Sequence, residues 1–321
     1  MPDRLRSEKE TGLLAKADKY LPGGNMGNVG LDLVIDRGQG AHVWDVSGNE
    51  YVDYLLGSGP MVAGHCHPEV VEAVRHQVER GTTFFADNEH AILLAGEIVD
   101  AVGCAESVRF ASTGTEATNY AMRAARAYRR RDKILKFEGG FHGMNDYALM
   151  SMMPSDPADF PKPTPDSAGI PRSIQDEVLI APFNDIETTS DLIDRYHDDL
   201  GAVIVEPMQR VISPAPGFLE GLREITERYG IPLIFDEVVT GFRFSYGGAQ
   251  QYYGVTPDLC TLGKAVGGGF PLTAVVGREE IMRHFDASAV DGDSFMPQIG
   301  TLSGNPVAAV AGLATLRVLK R

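Results

Sequence analysis

Apolar runs of strand length alternate with longer stretches of helical periodicity from about residue 65 onward. One helix is clear, because Pro68 stands at its start, valines recur along one face and Gly81 follows its end. The strand-like runs cover residues 107–111, 133–138, 201–205, 231–236, 259–262 and 273–277. The stretches between them suit crossover helices, so the pattern predicts an α/β fold with a mostly parallel central sheet flanked by helices.

The first 64 residues have a different pattern. Short strand-like runs at 41–45 and 50–54 predict a small N-terminal antiparallel segment. We therefore divide the chain into an N-terminal segment (1–64, part of a small domain), a large α/β domain (65–305) and the start of a further helix (306–321). Residues 150–175 contain six prolines and no periodicity, which predicts a long ordered loop that serves either as a lid or as a neutral surface loop.

Composition narrows the range of partners. The chain has 29 basic and 44 acidic residues, for a net charge of −15, which disfavours nucleic acid and anionic membranes. Cys66, Cys104 and Cys260 have no paired spacing, so neither a disulfide framework nor a zinc site is indicated. The N-terminus lacks the apolar core of a signal peptide, and no apolar run approaches membrane-spanning length. We therefore expect a cytoplasmic protein.

Lys264 is the most informative single residue. It follows the apolar run 259–262 and precedes three glycines at 267–269. Glycines allow close backbone approach and positive φ, which a solvated surface lysine does not require. The sequence is not a P-loop, because Asp258 and Ala265 stand where that motif needs Gly and Ser or Thr. A lysine placed in such a turn can form a Schiff base.

An acidic pair ends the preceding apolar run. Asp236 and Glu237 follow Ile231-Pro-Leu-Ile-Phe235 directly. Ligands of open α/β sheets bind beyond the carboxyl ends of the strands, so these carboxylates are expected to face a site. They could instead be acids at a helix start, whereas a metal site lacks nearby His or Cys ligands. A carboxylate paired with a distant lysine favours pyridoxal phosphate as the cofactor.

A strand, a turn and a helix could hold the phosphate of that cofactor. Thr113 and Glu116 form a capping box at the start of a helix with an alanine-rich face. The N–H groups of Gly114 and Thr115 are unpaired at this position, and the helix dipole adds positive potential. The segment therefore predicts an anion site that needs no cationic side chain.

These stretches together resemble class III pyridoxal-phosphate-dependent aminotransferases of fold type I, and most closely the glutamate-1-semialdehyde aminomutase-like branch. The resemblance runs from Pro22-Gly-Gly24 to Thr301-Leu-Ser-Gly-Asn-Pro306, nearly the whole chain. The matching motifs are Gly48-Asn-Glu-Tyr-Val-Asp-Tyr54, Gly64-His-Cys-His-Pro-Glu-Val70, Ser112-Thr-Gly-Thr-Glu-Ala117, Lys136-Phe-Glu-Gly-Gly-Phe-His-Gly143, Glu206-Pro-Met208, Asp236-Glu-Val-Val-Thr-Gly-Phe-Arg243 and Thr261-Leu-Gly-Lys264.

The resemblance implies a role for each matching position. Lys264 would hold pyridoxal 5′-phosphate as a Schiff base, and Asp236 would keep the pyridine nitrogen protonated. Phe141 and Val238 would cover the two faces of the ring. The remaining cofactor-binding positions implied are Ser112, Gly114, Thr115, His142, Glu206 and, from the second subunit of a homodimer, Thr301.

The mechanism implied is ping-pong transamination. The amino donor displaces Lys264, whose ε-amine then moves a proton as general base and acid. A carbonyl acceptor reverses the steps. The partners are therefore a small-molecule amino acid, β-amino acid or amine donor and a carbonyl acceptor.

Two departures from the aminomutase pattern weaken that branch as the function. The chain reads Asn25-Met-Gly-Asn-Val-Gly30 where aminomutases carry an arginine, and Ser58 where they carry a tryptophan. Without the guanidinium and the indole, the pocket is expected to be wider and less suited to a small charged substrate. The sequence thus favours an intermolecular aminotransferase. An aminomutase and a catalytically silent pyridoxal-phosphate-binding protein are the alternatives.

The resemblance also bears on the end of the chain. Family members continue for roughly another hundred residues as a C-terminal small domain. This sequence ends at Arg321, partway along the helix expected from Asn305-Pro306. We therefore expect that domain to be absent from this chain.

Overall fold

The computed structural model describes residues 4–27 and 30–321, and two sheets form within them. The smaller is antiparallel, with β1 (Ile35–Gln39), β2 (His42–Asp45) and β3 (Glu50–Val52) paired in that order. It confirms the antiparallel segment predicted in the first 64 residues and adds β1 to it. Asn28 and Val29, in the segment that departs from the aminomutases, lie outside the described residues.

The larger sheet confirms the predicted α/β fold with a mostly parallel sheet. Its strands are β4 (Ser107–Ala111), β5 (Lys133–Phe137), β6 (Val178–Ala181), β7 (Leu200–Val205), β8 (Leu233–Glu237), β9 (Leu259–Leu262) and β10 (Thr273–Gly277), in the spatial order β4-β10-β9-β8-β7-β5-β6. The pairs from β9 to β6 are parallel, and β10 runs antiparallel to β4 and β9. The six predicted runs all form strands. β6 was not predicted, because its four apolar residues follow a proline-rich stretch without periodicity.

Helices connect the strands. They are α1 (Glu8–Tyr20), α2 (Pro68–Val78), α3 (Glu89–Ala101), α4 (Gly114–Arg129), α5 (Arg172–Gln175), α6 (Ile186–Tyr196), α7 (Phe218–Arg228), α8 (Gly248–Tyr253), α9 (Glu279–Met282) and α10 (Pro306–Leu319). Proline occupies the first turn of α2 and α10, where its missing N–H leaves no bond unmade. Among the residues described, none of these helices combines the length and apolar character needed to cross a membrane.

The larger sheet is covered on both faces, which explains its continuous apolar strands. Alternate residues of β7 point to opposite sides: Val203 and Val205 pack in a cluster with α6 and α7, and Ala202 and Ile204 pack in a cluster with α4. Four alanines of α4 are fully buried, and their small size allows this helix to lie close to the strands; they are Ala117, Ala121, Ala124 and Ala125. The N-terminus of α4 is thereby held at the edge where the parallel strands end.

α10 packs behind the turn that carries Lys264. It contacts α2, α3 and the 3-10 helix Lys264–Gly267 that follows β9. Two glycines permit this approach: a Cβ on Gly312 would lie 2.3 Å from the Val266 carbonyl oxygen, and one on Gly268 would lie 2.6 Å from that of Ala311. The backbone of α10 therefore packs directly against the backbone of the turn that carries Lys264 and holds that turn in place.

The proline-rich stretch forms an ordered loop held to the sheet edge by hydrogen bonds. Ser151 and Thr164 pair through the Ser151 N–H and the Thr164 carbonyl at 2.7 Å, and the Asp166 carboxylate accepts the N–H groups of Met152 and Met153 at 2.6 and 2.9 Å. The Ile180 N–H of β6 donates to the Pro161 carbonyl at 3.0 Å. The loop therefore forms part of the edge beside β6.

Candidate active site

Four strands deliver polar or aromatic side chains to one edge of the larger sheet. The parallel strands β5, β7, β8 and β9 end there, and they are followed by or contain Phe141, Glu206, Asp236 and Lys264. Because the carboxyl ends of parallel strands share an edge, residues far apart in sequence meet at this point.

Asp236 is buried and held on both carboxylate oxygens. Its Oδ2 lies 2.8 Å from Nδ1 of His142, and its Oδ1 accepts the Thr261 hydroxyl at 2.8 Å and the Val238 N–H at 3.2 Å. These bonds fix the plane of the carboxylate. A buried acid held in this way provides a stationary negative charge.

Glu237 faces the opposite side of β8. Its carboxylate accepts the backbone N–H groups of Ala249 and Gln250 and the Thr240 hydroxyl, and so fixes the start of α8. Burial raises the pKa of Glu237, although these hydrogen bonds act in the opposite direction. The acidic pair seen in the sequence therefore separates into one residue at the site edge and one that joins the sheet to a helix, as the two-residue period of a strand requires.

Lys264 has left-handed backbone geometry, with φ of 49°, and its half-buried side chain reaches back toward the N-terminal segment. The Nζ donates to the Ser58 carbonyl at 2.8 Å. Burial lowers the pKa of Lys264, and the charge of Arg243 acts in the same direction. A lowered pKa makes more of the neutral, nucleophilic amine available near neutral pH.

Arg243 and Gly59 hold the segment that meets the lysine. Arg243 donates to the carbonyls of Gly59 and, at 2.8 Å, Val239. Gly59 has φ of 105°, and a Cβ there would lie 3.0 Å from Cδ of Lys264. Sequence reasoning assigned no role to either residue, although Arg243 closes one of the motifs and Gly59 follows Ser58.

The start of α4 has the predicted capping box. The Thr113 hydroxyl accepts the Glu116 N–H at 3.2 Å, and the Glu116 carboxylate accepts the N–H groups of Thr113 at 2.9 Å and Ser112 at 3.0 Å. Among the described residues, no acceptor is found for the N–H groups of Gly114 and Thr115. The N–H groups of Gly114 and Thr115 therefore remain available to bind an anion. The N–H of Ser112 is already bonded to Glu116, so Ser112 could contribute only its hydroxyl.

Val238 joins this helix start to the centre of the site. A Cβ on Gly114 would lie 3.5 Å from a Val238 methyl group, and a Cβ on Gly263 would lie 3.0 Å from the same side chain. Gly114 at the start of α4 and Gly263 beside Lys264 therefore both lie against the Val238 side chain.

The turn that follows β5 and carries Phe141 also borders the site. The Phe141 N–H donates to the Glu206 carboxylate at 2.9 Å, and the Thr118 hydroxyl donates to the His142 carbonyl at 2.6 Å. Gly143 has φ of 87°, and a Cβ there would lie 2.6 Å from Cα of Thr115. The Phe141 ring is partly exposed. Burial raises the pKa of Glu206.

The side chain of Lys136 stabilises the turn after β5, a role that was not predicted from the sequence. It is fully buried, and its Nζ donates to the carbonyls of Gly140, Ala148 and Met150 at 3.1, 2.8 and 2.6 Å. Burial lowers its pKa to about 8. The signal available in the sequence was a lysine between the apolar residues Leu135 and Phe137 of a predicted strand.

Thr301 lies apart from the other predicted residues. It is exposed in the turn at 301–304 before α10, and within residues 4–27 and 30–321 no hydrogen bond joins it to the cluster. The single chain thus brings together the cofactor positions from Ser112 to Lys264 and leaves Thr301 outside. Its reach into a second subunit stays a prediction.

The site as a whole offers an amine with a lowered pKa, a fixed buried carboxylate, a partly exposed aromatic ring and two free backbone donors. Glycine stands where a Cβ would intrude, at positions 59 and 143. These features fit pyridoxal phosphate, whose aldehyde, pyridine nitrogen, ring and phosphate need these four kinds of partner. His65, in contrast, is hydrogen-bonded to Asp53 at 2.7 Å, and the described residues contain no cluster of three metal-ligating side chains.

Known proteins resemble this chain along nearly its whole length. Residues 25–321 match the family model described as aminotransferase class-III. A protein of Brevibacillus brevis named glutamate-1-semialdehyde 2,1-aminomutase 2 is 45% identical, over 99% of this chain and 74% of its own length. An omega-transaminase of Sphaerobacter thermophilus superposes with a TM-score of 0.92 at 41% identity, over 97% of this chain and 72% of that one. A transaminase solved with PLP bound superposes with a TM-score of 0.90 at 34% identity, over 98% and 74% of the two chains.

Proposed function

The chain belongs to the class-III aminotransferase family, and we propose that it is a pyridoxal-phosphate enzyme that moves an amino group from an amino acid or amine donor to a carbonyl acceptor. The observation that carries the proposal is the position of Lys264. Its amine, with a pKa lowered by burial, lies at the same strand edge as the Asp236–His142 pair.

Pyridoxal phosphate, when bound, supplies an aldehyde carbon that carries nitrogen and a protonated ring that accepts electrons. Asp236 would hold the proton on the ring nitrogen, and Phe141 and Val238 would cover the ring. The N–H groups of Gly114 and Thr115, with the Ser112 hydroxyl, would bind the phosphate. His142 and Glu206 would act from behind, by fixing Asp236 and the Phe141 backbone respectively.

Lys264 has two duties in this proposal. Its Nζ would hold the cofactor between turnovers, and the freed amine would take a proton from the donor's α-carbon and deliver it to the C4′ position of the cofactor. The hydrogen bond from Nζ to the Ser58 carbonyl supports this assignment. The carbonyl orients the amine, and because it is neutral it does not hold the lysine in an ion pair.

The aminomutase reading is the second candidate, and the name of the Brevibacillus brevis relative favours it. Against it stand Ser58 and the Asn25–Gly30 segment, where the side chains that would narrow the pocket differ. We therefore place intermolecular transfer first.

We also propose that the protein acts as a homodimer in the cytoplasm. Thr301 lies between the exposed side chains of Ile299 (92%) and Leu302 (50%), and Phe85 is also fully exposed. A subunit interface around Thr301 would cover the neighbouring side chains of Ile299 and Leu302. Three free cysteines, of which Cys66 is exposed, suit a reducing compartment.

The test is to load the purified chain with pyridoxal phosphate and follow its visible absorption band while donors are added one at a time. Loss of the band, restored by a 2-oxo acid, supports the aminotransferase. Isomerisation of one substrate without any added acceptor supports the aminomutase instead. A band that no donor alters contradicts both and indicates a silent binding protein.

A further inference from the structure

We propose that Arg210 binds the carboxylate of the substrate, so that the enzyme selects amino-acid donors over simple amines. This inference rests on the proposed function and makes its substrate class specific. The residue lies on the turn that follows Glu206, between β7 and α7.

Arg210 occupies a position where glycine is usual. Gln209 and Ile212 close a tight turn through two reciprocal backbone hydrogen bonds of 3.0 and 2.8 Å, and Arg210 is the first residue between them. Its φ is 58°, in the left-handed region that residues with a Cβ rarely adopt. A long charged side chain in such a position requires compensation, and such strained residues concentrate at functional sites.

The guanidinium group extends from this turn over the site. Its central carbon lies 4.9 Å from the centroid of the Phe141 ring, the aromatic side chain assigned to the cofactor. The charge of Arg210 also contributes to the lowered pKa of Lys264, which places it within electrostatic reach of the reacting amine. A group bound by Arg210 would therefore lie beside the ring that Phe141 is proposed to cover.

Arg210 has no acidic partner among residues 4–27 and 30–321. No carboxylate forms an ion pair with it, and its one hydrogen bond is a long contact of 3.5 Å from Nε to the Gly139 carbonyl. The buried carboxylate of Glu206 accepts the Phe141 N–H, and Arg210 acts on it through its charge without an ion-pair contact. Most of the donor fork of the exposed Arg210 is thus unused, and its planar geometry matches a carboxylate.

Arg243, the other guanidinium near Lys264, is differently engaged. It is part-buried and directs its N–H groups at the carbonyls of Gly59 and Val239. Its contacts hold the protein's own backbone. Arg210 is therefore the better candidate for an incoming anion.

The left-handed backbone at Arg210 allows a substitution that removes the charge without straining the turn. Arg210→Gly removes the charge and replaces it with the residue that the left-handed position favours, so the variant should fold with equal or greater resistance to urea. Arg130→Gly is the matched control, because Arg130 is also left-handed, with φ of 56°, and bonds the distant Ser294 hydroxyl. Arg210→Lys retains the charge without the fork.

The experiment uses the loaded enzyme and donor pairs that differ by one carboxylate: alanine against ethylamine, and 3-amino-3-phenylpropanoate against 1-phenylethylamine. Single-turnover bleaching of the visible band gives the apparent Kd of each donor. We expect the wild type to favour the acid of at least one pair, and Arg210→Gly to weaken that acid roughly 10- to 100-fold, as loss of a charge-assisted bond predicts. The amine should change less than about twofold, and Arg130→Gly should match the wild type.

Calorimetry with the unreactive probes 3-phenylpropanoate and 3-phenylpropanamide gives a readout independent of turnover. The acid should lose its advantage over the amide in Arg210→Gly and keep part of it in Arg210→Lys. A wild type that prefers amines in every pair, or an Arg210→Gly enzyme that keeps the wild-type preference, overturns the inference while leaving the aminotransferase intact. A wild type that no donor bleaches refutes the proposed function, and the inference with it.

Discussion

His142 Nδ1 lies 2.8 Å from Asp236 Oδ2, although the two residues are 94 positions apart in sequence. They follow or end β5 and β8, which are separated in the sheet by β7. Both side chains are buried, and the other oxygen of Asp236 is held by the Thr261 hydroxyl. The protein's own contacts therefore hold the Asp236 carboxylate in place, so a ligand can bind without rearranging it.

Lys264→Ala should abolish covalent attachment of pyridoxal phosphate, because Lys136, the other amine near this strand edge, is buried and donates to three backbone carbonyls. The measurement is borohydride reduction followed by mass spectrometry of the intact chain. Lys16→Ala, on the exposed face of α1, serves as the control and should label like the wild type. A reduced adduct that persists in Lys264→Ala would place the attachment elsewhere.

Asp236→Asn should retain the cofactor and lose most of the rate. The neutral amide no longer favours a protonated ring nitrogen, and a fall of about two units in that nitrogen's pKa corresponds to roughly a hundredfold. Stopped-flow measurement of the donor half-reaction checks this. Near-normal turnover would remove Asp236 from its proposed role.

Glu237→Gln, at the residue next to Asp236, should affect stability and not the reaction rate. It should leave the half-reaction rate of the folded enzyme near the wild-type value but lower the free energy of unfolding by about 1–3 kcal/mol, because the amide keeps one acceptor oxygen where the carboxylate had two. Urea denaturation measures the loss. If the variant is as stable as the wild type, the assignment of Glu237 to the α8 junction is wrong.

Lys136→Met should change how stability depends on pH. The pKa of Lys136 is lowered from 10.5 to about 8 in the folded chain, so the unfolded state binds more protons between those values. The wild type should therefore gain stability as pH rises above 8, with a slope from this group of at most about 1.4 kcal/mol per pH unit. Urea titrations at pH 7.5, 8.5 and 9.5 should show a shallower rise in the variant. Lys16→Met should follow the wild type, and parallel curves for Lys136→Met would contradict the assignment.

Arg243→Gln should slow attachment of pyridoxal phosphate to the cofactor-free protein at pH 7. Burial is the main cause of the lowered pKa of Lys264, but the Arg243 charge adds to it. Without that charge the pKa of Lys264 rises, and the neutral fraction of its amine at pH 7 falls. The growth of visible absorbance, recorded from pH 6 to 9, should have its midpoint displaced upward. Arg228→Gln, on the exposed end of α7, should leave the profile unchanged.

The fold was predictable to the extent that its elements have strong local patterns. The strands from 107–111 to 273–277 are apolar because helices cover both faces of the sheet, and α2 and α4 carry proline and a capping box at their starts. β6 was missed because four apolar residues do not distinguish a strand from a loop. The antiparallel direction of β10 depends on its partners and is not encoded in its own residues.

The sequence by itself determined which residues could do the chemistry: a lysine before glycines, an acid at a strand end and a capped helix start. These are local signals, since each depends on neighbours within a few positions. Tertiary structure alone decided that Asp236 and not Glu237 faces the site, that the Lys136 amine bonds the Gly140 carbonyl of the Phe141 turn, and that the Arg210 guanidinium lies over the Phe141 ring. Such facts depend on which strand ends become adjacent and on how deeply each charge is buried, and both quantities are set by contacts between residues distant in the chain.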